Sequence, residues 1–156
     1  CDEIPARDEL EFIRIYLELE MSRMSHKFKY EFDIPDDIRK SDDRVPPLIL
    51  QPFVENSIRH GIRYRADKEG LIQISARKTA QAFHFIVRDN GVGRAQAAEF
   101  NKNSSIGYQS RGIELTRQRI SLLSRNGQTE SGIEFRDLKD AVGQPAGTEV
   151  EIIIPV

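Results

Sequence analysis

The stretch from Pro46 to Gly61 constrains the fold more than any other part of the sequence. Prolines near its start and a glycine at its end are typical of the two ends of a helix. Apolar spacing predicts one buried stripe, formed by Leu50, Phe53, Val54, Ser57 and Ile58. The opposite and flanking surface carries Glu55, Asn56, Arg59 and His60. A carboxylate, an amide, a cation and an imidazole could together hold a metal and phosphates, but solvated polar faces contain the same residue types.

The composition fits one globular domain, since 156 residues allow a sizeable core. Lys and Arg number 23 against 25 Asp and Glu, so neither a nucleic-acid surface nor a charged tail is indicated. A single cysteine, Cys1, cannot form an internal disulfide, which fits a reducing compartment. The sequence shows no signal peptide and no membrane-spanning apolar run. Because it starts in helix-like sequence without a methionine, we expect a fragment of a longer protein, with room for a membrane anchor upstream.

A first helix is predicted over residues 8–24, where Asp8 and Glu11 have the spacing of a capping box. Its apolar face is unusually broad. It consists of Leu10, Ile13, Tyr16, Leu17 and Met24, widened by Phe12, Ile15 and Leu19. This breadth predicts either contact on two sides, including a partner helix, or a core helix with a generous face.

Strands are predicted over residues 27–34, 71–75, 82–88, 131–138 and 149–155, with loops over 39–44 and 143–147. A second long helix is predicted over 110–124, with Ser110 as its N-cap. Hairpins mixed with helices predict a mixed sheet in a two-layer α/β sandwich. His84 lies in a strand without nearby acidic or cysteine partners, and His26 lies at a helix end, so we interpret both as structural.

The segment Asp89-Asn90-Gly91-Val92-Gly93 follows a predicted strand. Asn and Gly tolerate positive φ, so an Asp-Asn-Gly sequence is first of all a turn signal. Residues 94–110 have no clear period, and a connection of such length in a compact domain is typical of a functional lid or of disorder.

The stretch Pro-Pro-Leu-Ile-Leu-Gln-Pro-Phe-Val-Glu-Asn-Ser-Ile-Arg-His-Gly resembles the N-box of LytS/YehU-type sensor histidine kinases, which belong to the GHKL superfamily of ATP-binding domains. The resemblance implies the Bergerat fold, with ATP between the helical layer and a lid. It further implies that Asn56 coordinates the Mg²⁺ that bridges the ATP phosphates. Glu55 would be the catalytic acidic neighbour that polarises the metal's water shell, and Arg59 and His60 would lie towards the phosphates.

Three further segments extend the resemblance along the chain. Residues 89–93 are similar to the first glycine box, which implies that Asp89 accepts a hydrogen bond from the adenine amine and that Gly91 and Gly93 allow close approach of the backbone. Residues 110–120 are similar to the second glycine box, which implies that Gly112 lies near the phosphates. Ser110 and Leu115 depart from that motif, standing where relatives have glycine and asparagine. Gly147-Thr148 resembles the last element of the pocket, with Thr148 on the adenine-bound water.

The function implied is that of an ATP-binding catalytic domain of a two-component sensor histidine kinase. Residues 1–26 would link it to upstream dimerisation and phosphoacceptor helices, and residues 27–156 would donate the ATP γ-phosphate to a histidine on those helices. We expect a homodimeric, membrane-anchored parent protein with this domain in the cytoplasm, a response regulator as partner, and no nucleic acid. A GHKL-type ATPase, in which Glu55 activates water, and a degenerate nucleotide-sensing module are the alternatives.

Overall fold

The computed structural model describes residues 3–24, 28–62, 69–93, 107–123 and 132–155. Within these ranges the chain forms seven strands, four α-helices and one π-helical turn. In chain order they are β1 (Ile4–Pro5), α1 (Ala6–Arg23), β2 (Phe28–Asp33), α2 (Asp36–Arg39), β3 (Arg44–Val45), α3 (Gln51–Asn56), the π-helical turn (Ser57–Gly61), β4 (Gly70–Lys78), β5 (Ala82–Asp89), α4 (Gly107–Leu123), β6 (Gly132–Lys139) and β7 (Pro145–Pro155).

Five strands form the main sheet, in the order β2-β4-β5-β7-β6. β2 pairs with β4 in parallel, and the other neighbours are antiparallel. β1 and β3 form a separate two-stranded antiparallel sheet. A mixed sheet with helices confirms the predicted α/β class.

One face of the main sheet is covered by helices and contains the core. Its inward side chains form rows across the strands, because paired residues point to the same side. One row is Ile74, Val87, Val150 and Phe135, and the next is Ala76, Phe85, Ile152 and Ile133. Buried residues of α1, α3 and α4 complete the same core.

The predicted apolar stripe of α3 and its π-helical turn is confirmed, since Leu50, Phe53, Val54, Ser57 and Ile58 are all buried. The ring of Phe53 contacts Phe135 of β6, with centroids 6.3 Å apart. The helix itself is shorter than predicted, because the segment from Pro46 to Leu50 forms turns and bends before α3.

The predicted capping box of the first helix is wrong. α1 begins directly after Pro5 without a side-chain cap, and Glu11 instead binds Arg14, with Oε2 3.0 Å from Nε. The broad apolar face is also only partly buried. Leu10, Ile13 and Leu17 enter the core, whereas Phe12, Ile15 and Leu19 are 41%, 48% and 61% exposed.

The start of α4 also differs from the prediction. The helix begins at Gly107, so Ser110 lies inside it and is not its N-cap. Two other segments also differ: Asp36–Arg39 forms α2, a helix that was not predicted, and β7 already begins at Pro145, inside the loop predicted over 143–147. The longer β7 is explained by its pairing with β6, which continues to Lys139 opposite Pro145.

The outer face of the sheet carries an ionic cluster centred on the buried side chain of Glu151. This carboxylate lies 2.7 Å from His84 Nδ1, 3.0 Å from Arg77 and 2.7 Å from Arg136. The expectation that His84 has no acidic partner is therefore wrong, because the partner comes from a strand 67 residues away.

His26 lies outside the described residues. Within the described ranges, no helix has the length and apolar character needed to cross a membrane.

Candidate functional site

Asp89, the last residue of β5, is the most enclosed acidic side chain of the candidate site, with 4% exposure. Its Oδ1 accepts a hydrogen bond of 2.9 Å from the Gly91 amide. The side chain of Ser57 and the backbone of Thr148 also donate to it. Burial raises the pKa of Asp89, and these three hydrogen bonds oppose the rise.

Ser57 joins two segments that the sequence presents separately. It follows Asn56 directly, at the start of the π-helical turn, and its hydrogen bond reaches Asp89 at the end of β5. The residue next to the predicted metal ligand is thereby fixed to the predicted adenine acceptor. Single π-helical turns of this kind occur frequently at functional sites.

The polar residues of the Pro46–Gly61 stretch lie at the end of α3 and in the π-helical turn. Glu55 and Asn56 are partly exposed, and Arg59 Nη1 lies 3.1 Å from Glu55 Oε1. The backbone of His60 belongs to the π-helical turn, but its side chain lies outside what the structure describes. The carboxylate of Glu55 is therefore paired with a cation from its own helix.

Gly147 is required by the close approach of β7 to the end of β5. Its φ is +130°, and a Cβ there would lie 1.9 Å from the carbonyl oxygen of Asp89. Such a distance is far inside any van der Waals contact, so only glycine fits. Gly147 in turn allows Thr148 to pair with Asp89 across the two strands.

Gly93 also has positive φ, +86°, and lies near Pro145 and Gly147. Asn90 holds the turn from the other side, where its Oδ1 accepts from the Leu71 amide at 2.8 Å and its Nδ2 donates to the Glu69 carbonyl at 3.1 Å. The Asp-Asn-Gly turn is thus fixed by its asparagine, which leaves the carboxylate of Asp89 on the inner side of the sheet.

The second predicted phosphate element is only partly visible. Gly112 lies within α4, one turn after the helix begins, and residues 94–106 of the predicted lid lie outside the described residues. The structure therefore gives the helix on which Gly112 lies, and residues 107–110 of the predicted lid belong to that helix.

Neither the cavity beside Asp89 nor the grouping of acidic, His and Cys side chains in the described residues identifies a ligand. A depression of about 200 Å³ lies beside Asp89 and Asn90, but Gln73 and Arg88 in its wall belong to the outer face of the sheet. Within the described ranges, no group of three or more His, Cys, Asp or Glu side chains is placed to hold a metal.

Sequence reasoning did not assign three residues that matter here. Ser57 was predicted only as part of the apolar stripe. A hydroxyl among apolar side chains was the feature of the sequence that could have indicated a buried polar contact. Gly147 was predicted only as the neighbour of Thr148, and its role in allowing the close approach of β7 to β5 was not predicted. Glu9 has the helical spacing of the buried residues Ala6, Ile13 and Leu17, so a charged residue on the core face of α1 was visible in the sequence.

Several known proteins are similar in sequence to this chain. No protein-family model matches the chain. The chain is 35% identical over 115 residues to the uncharacterised protein YwpD of Bacillus subtilis, covering 73% of this chain and 40% of that protein. It is 34% identical over 90 residues to the sensor protein LytS of Oceanobacillus iheyensis, covering 58% and 15%. It is 35% identical over 83 residues to the sensor histidine kinase BtsS of Escherichia coli, covering 53% and 14%. The chain therefore spans less than half the length of each of these relatives.

Solved structures give the fold. The catalytic domain of histidine kinase ThkA superposes with a TM-score of 0.63 at 16% identity, covering 99% of this chain and 96% of that domain. ThkA in complex with the response regulator protein TrrA matches with a TM-score of 0.59 at 14% identity, covering 99% of this chain and 41% of that one.

Proposed function

Since the chain is related to LytS- and BtsS-type sensor histidine kinases and has the fold of histidine kinase catalytic domains, we propose that it binds Mg-ATP and supplies the γ-phosphoryl group to a histidine. The observation that carries the proposal is the hydrogen bond from Ser57 to Asp89. It joins a candidate metal and phosphate region, at Glu55 and Asn56, to a candidate adenine region at the end of β5.

Asp89 fits an adenine amine. A carboxylate has about four acceptor positions, so Asp89 can accept from a donor such as an exocyclic amine in addition to Ser57, Gly91 and Thr148. The close strand approach at Gly147 brings the Thr148 backbone against the same carboxylate, so the acceptor is held in place before any ligand arrives.

Asn56 and Glu55 fit a magnesium ion that is bound mostly through phosphates. Mg²⁺ keeps several waters in nucleotide sites and needs only one or two protein oxygens, which the amide of Asn56 and the carboxylate of Glu55 could supply. When bound, the ion would neutralise charge on the phosphates. The amide oxygen of Asn56 would hold it, Glu55 would orient its water shell, and Arg59 and His60 would lie towards the phosphates, with Gly112 near them on α4.

Transfer to a histidine is mainly a matter of positioning and charge neutralisation in such a site. An ATPase would need Glu55 to activate water, but its carboxylate is paired with Arg59 at 3.1 Å. We therefore favour the kinase over the ATPase. We also infer that the phosphoacceptor helices lie upstream, that a response regulator receives the phosphate, and that the whole protein is a membrane-anchored homodimer with this domain in the cytoplasm.

The test of the proposal is calorimetric titration of the chain with ATP, with and without Mg²⁺, in wild type and Asp89→Asn. An amide can present a donor to the adenine amine, so we expect a loss of about 1–3 kcal/mol, or roughly ten- to a hundredfold in affinity. Asp42→Asn is the matched control, because the Asp42 side chain is 92% exposed and pairs only with Arg7 among the described contacts. Equal ATP affinity in folded wild type and Asp89→Asn would contradict the proposal.

A further inference from the structure

Glu9 is a charged side chain in the core, on α1, with no exposed surface. Its carboxylate accepts hydrogen bonds from three successive backbone amides of a distant segment. Oε2 accepts from Leu48 at 3.0 Å, and Oε1 accepts from Ile49 at 2.9 Å and Leu50 at 3.2 Å.

These amides belong to segment 46–50, which leads into α3. Helix starts leave amides without partners, and a side chain close in sequence usually satisfies them. α3 has no side-chain cap of its own and no acidic residue in its first turn. Glu9 therefore supplies, from about forty residues away in sequence, the negative charge that a local cap would provide.

The conformation of segment 46–50 needs this support. Leu48 has a φ of +58°, and it is the one non-glycine residue with positive φ in the described part of the chain. Its side chain is 48% exposed, so burial of the side chain does not explain the conformation. A strained residue persists only where its surroundings hold it, and here the Glu9 carboxylate binds its amide.

A cation from α4 holds the same segment from the other side. Arg119 Nη2 donates to the Pro47 carbonyl at 2.7 Å. Segment 46–50 is thus held between a carboxylate of α1 and a guanidinium of α4.

α1 also lies near the far end of α3. Tyr16 follows Glu9 by about two helical turns, a rise of about 10 Å. Burial raises the pKa of Tyr16 to about 12, and the charges of Glu20 and Glu55 add to the rise while Arg59 opposes it. Tyr16 of α1 therefore lies within electrostatic reach of the Glu55–Arg59 pair.

We propose that Glu9 is a positioning residue for the metal and phosphate half of the site, acting through segment 46–50 on the placement of Glu55 and Asn56. This rests on the proposed Mg-ATP binding. Because α3 is short, a change at its start is transmitted to Asn56 within two turns. Asp89 is held by β5, β7 and Ser57, so the adenine half should respond much less.

The experiment compares Glu9→Gln with Glu11→Gln, an exposed residue of the same helix whose described partner is Arg14. Gln presents a donor group to amide donors, so at least one of the three hydrogen bonds is lost. At a temperature where both variants are fully folded, we expect Mg-ATP affinity of Glu9→Gln to fall about three- to tenfold and adenosine affinity to change less than twofold. Glu11→Gln should match wild type for both ligands.

Two outcomes of the binding measurements overturn the proposal: a lowered melting temperature with unchanged Mg-ATP affinity, or parallel losses for Mg-ATP and adenosine. Amide hydrogen exchange tests the contact independently of nucleotide binding. Exchange at Leu48, Ile49 and Leu50 should accelerate at least tenfold in Glu9→Gln and not in Glu11→Gln, and unchanged exchange also overturns the proposal. If wild type fails to bind Mg-ATP while these amides respond as expected, the proposed function fails and the contact stands.

A second pair of variants guards against misfolding of Glu9→Gln. Arg119→Met removes the bond to Pro47 at similar side-chain length, and Arg117→Met is its control on the same helix, where the described partner is Glu114 at 4.0 Å. We expect a two- to fivefold loss of Mg-ATP affinity for Arg119→Met alone. Equal affinities in the two variants would overturn the role of segment 46–50.

Discussion

Replacing Gly147 with alanine tests the steric basis of the site most directly. The new Cβ would lie 1.9 Å from the Asp89 carbonyl oxygen and 2.8 Å from its carbonyl carbon. These atoms belong to the backbone, so β5 and β7 would have to separate. The φ of +130° adds strain, because side-chain-bearing residues rarely adopt it.

The expected loss of unfolding free energy in Gly147→Ala follows from two costs. Backbone strain of this kind costs about 1–3 kcal/mol, and forcing an extra group into a packed site costs about 1–3 kcal/mol or more. Gly143→Ala is a matched control, since Gly143 also has positive φ, +82°, but nothing lies within 4 Å of its added Cβ. The loss of unfolded-state entropy on Gly→Ala is similar in both variants and cancels in the comparison.

We expect Gly147→Ala to lose about 3–5 kcal/mol of unfolding free energy and Gly143→Ala about 1 kcal/mol. Urea unfolding measures this: with an m-value of about 1–3 kcal/mol/M, the two midpoints should differ by about 1 M or more. ATP affinity of the folded fraction should also fall in Gly147→Ala, because Thr148 would no longer reach Asp89. Equal midpoints for the two variants would refute the close approach of the strands.

Three further predictions concern the metal, the ionic cluster and the reaction. Asn56→Ala should abolish the Mg²⁺ enhancement of ATP binding while leaving metal-free binding largely intact; calorimetry showing equal enhancement in both proteins would exclude Asn56 as the ligand. Burial raises the pKa of Glu151, but hydrogen bonds from Arg136, His84 and Arg77 outweigh it and hold that pKa below its ordinary value of 4.5. Glu151→Gln should therefore lower the free energy of unfolding by about 2–4 kcal/mol at neutral pH. This difference from wild type should shrink as the pH falls below 4.5. The same change at Glu134, whose side chain is 61% exposed, should be tolerated. Incubation with γ-labelled ATP should leave the isolated chain without acid-labile label, and adding the upstream helices should restore labelling; stoichiometric acid-labile, base-stable label on the chain alone would place the acceptor among its three histidines.

Local patterns were enough to predict most elements. Apolar spacing correctly predicted the buried stripe from Leu50 to Ile58, because helical periodicity depends only on nearby residues. Alternation likewise predicted β4 and β5, and the turn residues after Asp89 marked where β5 ends. Helix starts were less reliable: α1 and α4 both begin before their predicted caps, since tertiary packing and chain entry can replace a local cap.

The sequence predicted which residues belong to the candidate site but not how those residues are arranged in space. The sequence placed Asn56 on one helix end and Asp89 after one strand, and it contained no information on the hydrogen bond that joins them through Ser57. Glu151 illustrates the same limit, because its partners come from three different strands. Such contacts depend on strand order, which no local pattern specifies.

The sequence by itself determined the buried stripe from Leu50 to Ile58 and the segments that carry polar chemistry, because both follow from period and side-chain type. The tertiary structure alone decided that β7 approaches β5 closely enough to require Gly147, and that Glu9 of α1 holds the start of α3. Both depend on distances between segments far apart in the chain. Those distances are set by how the layers pack together, and not by any property of the residues taken one at a time.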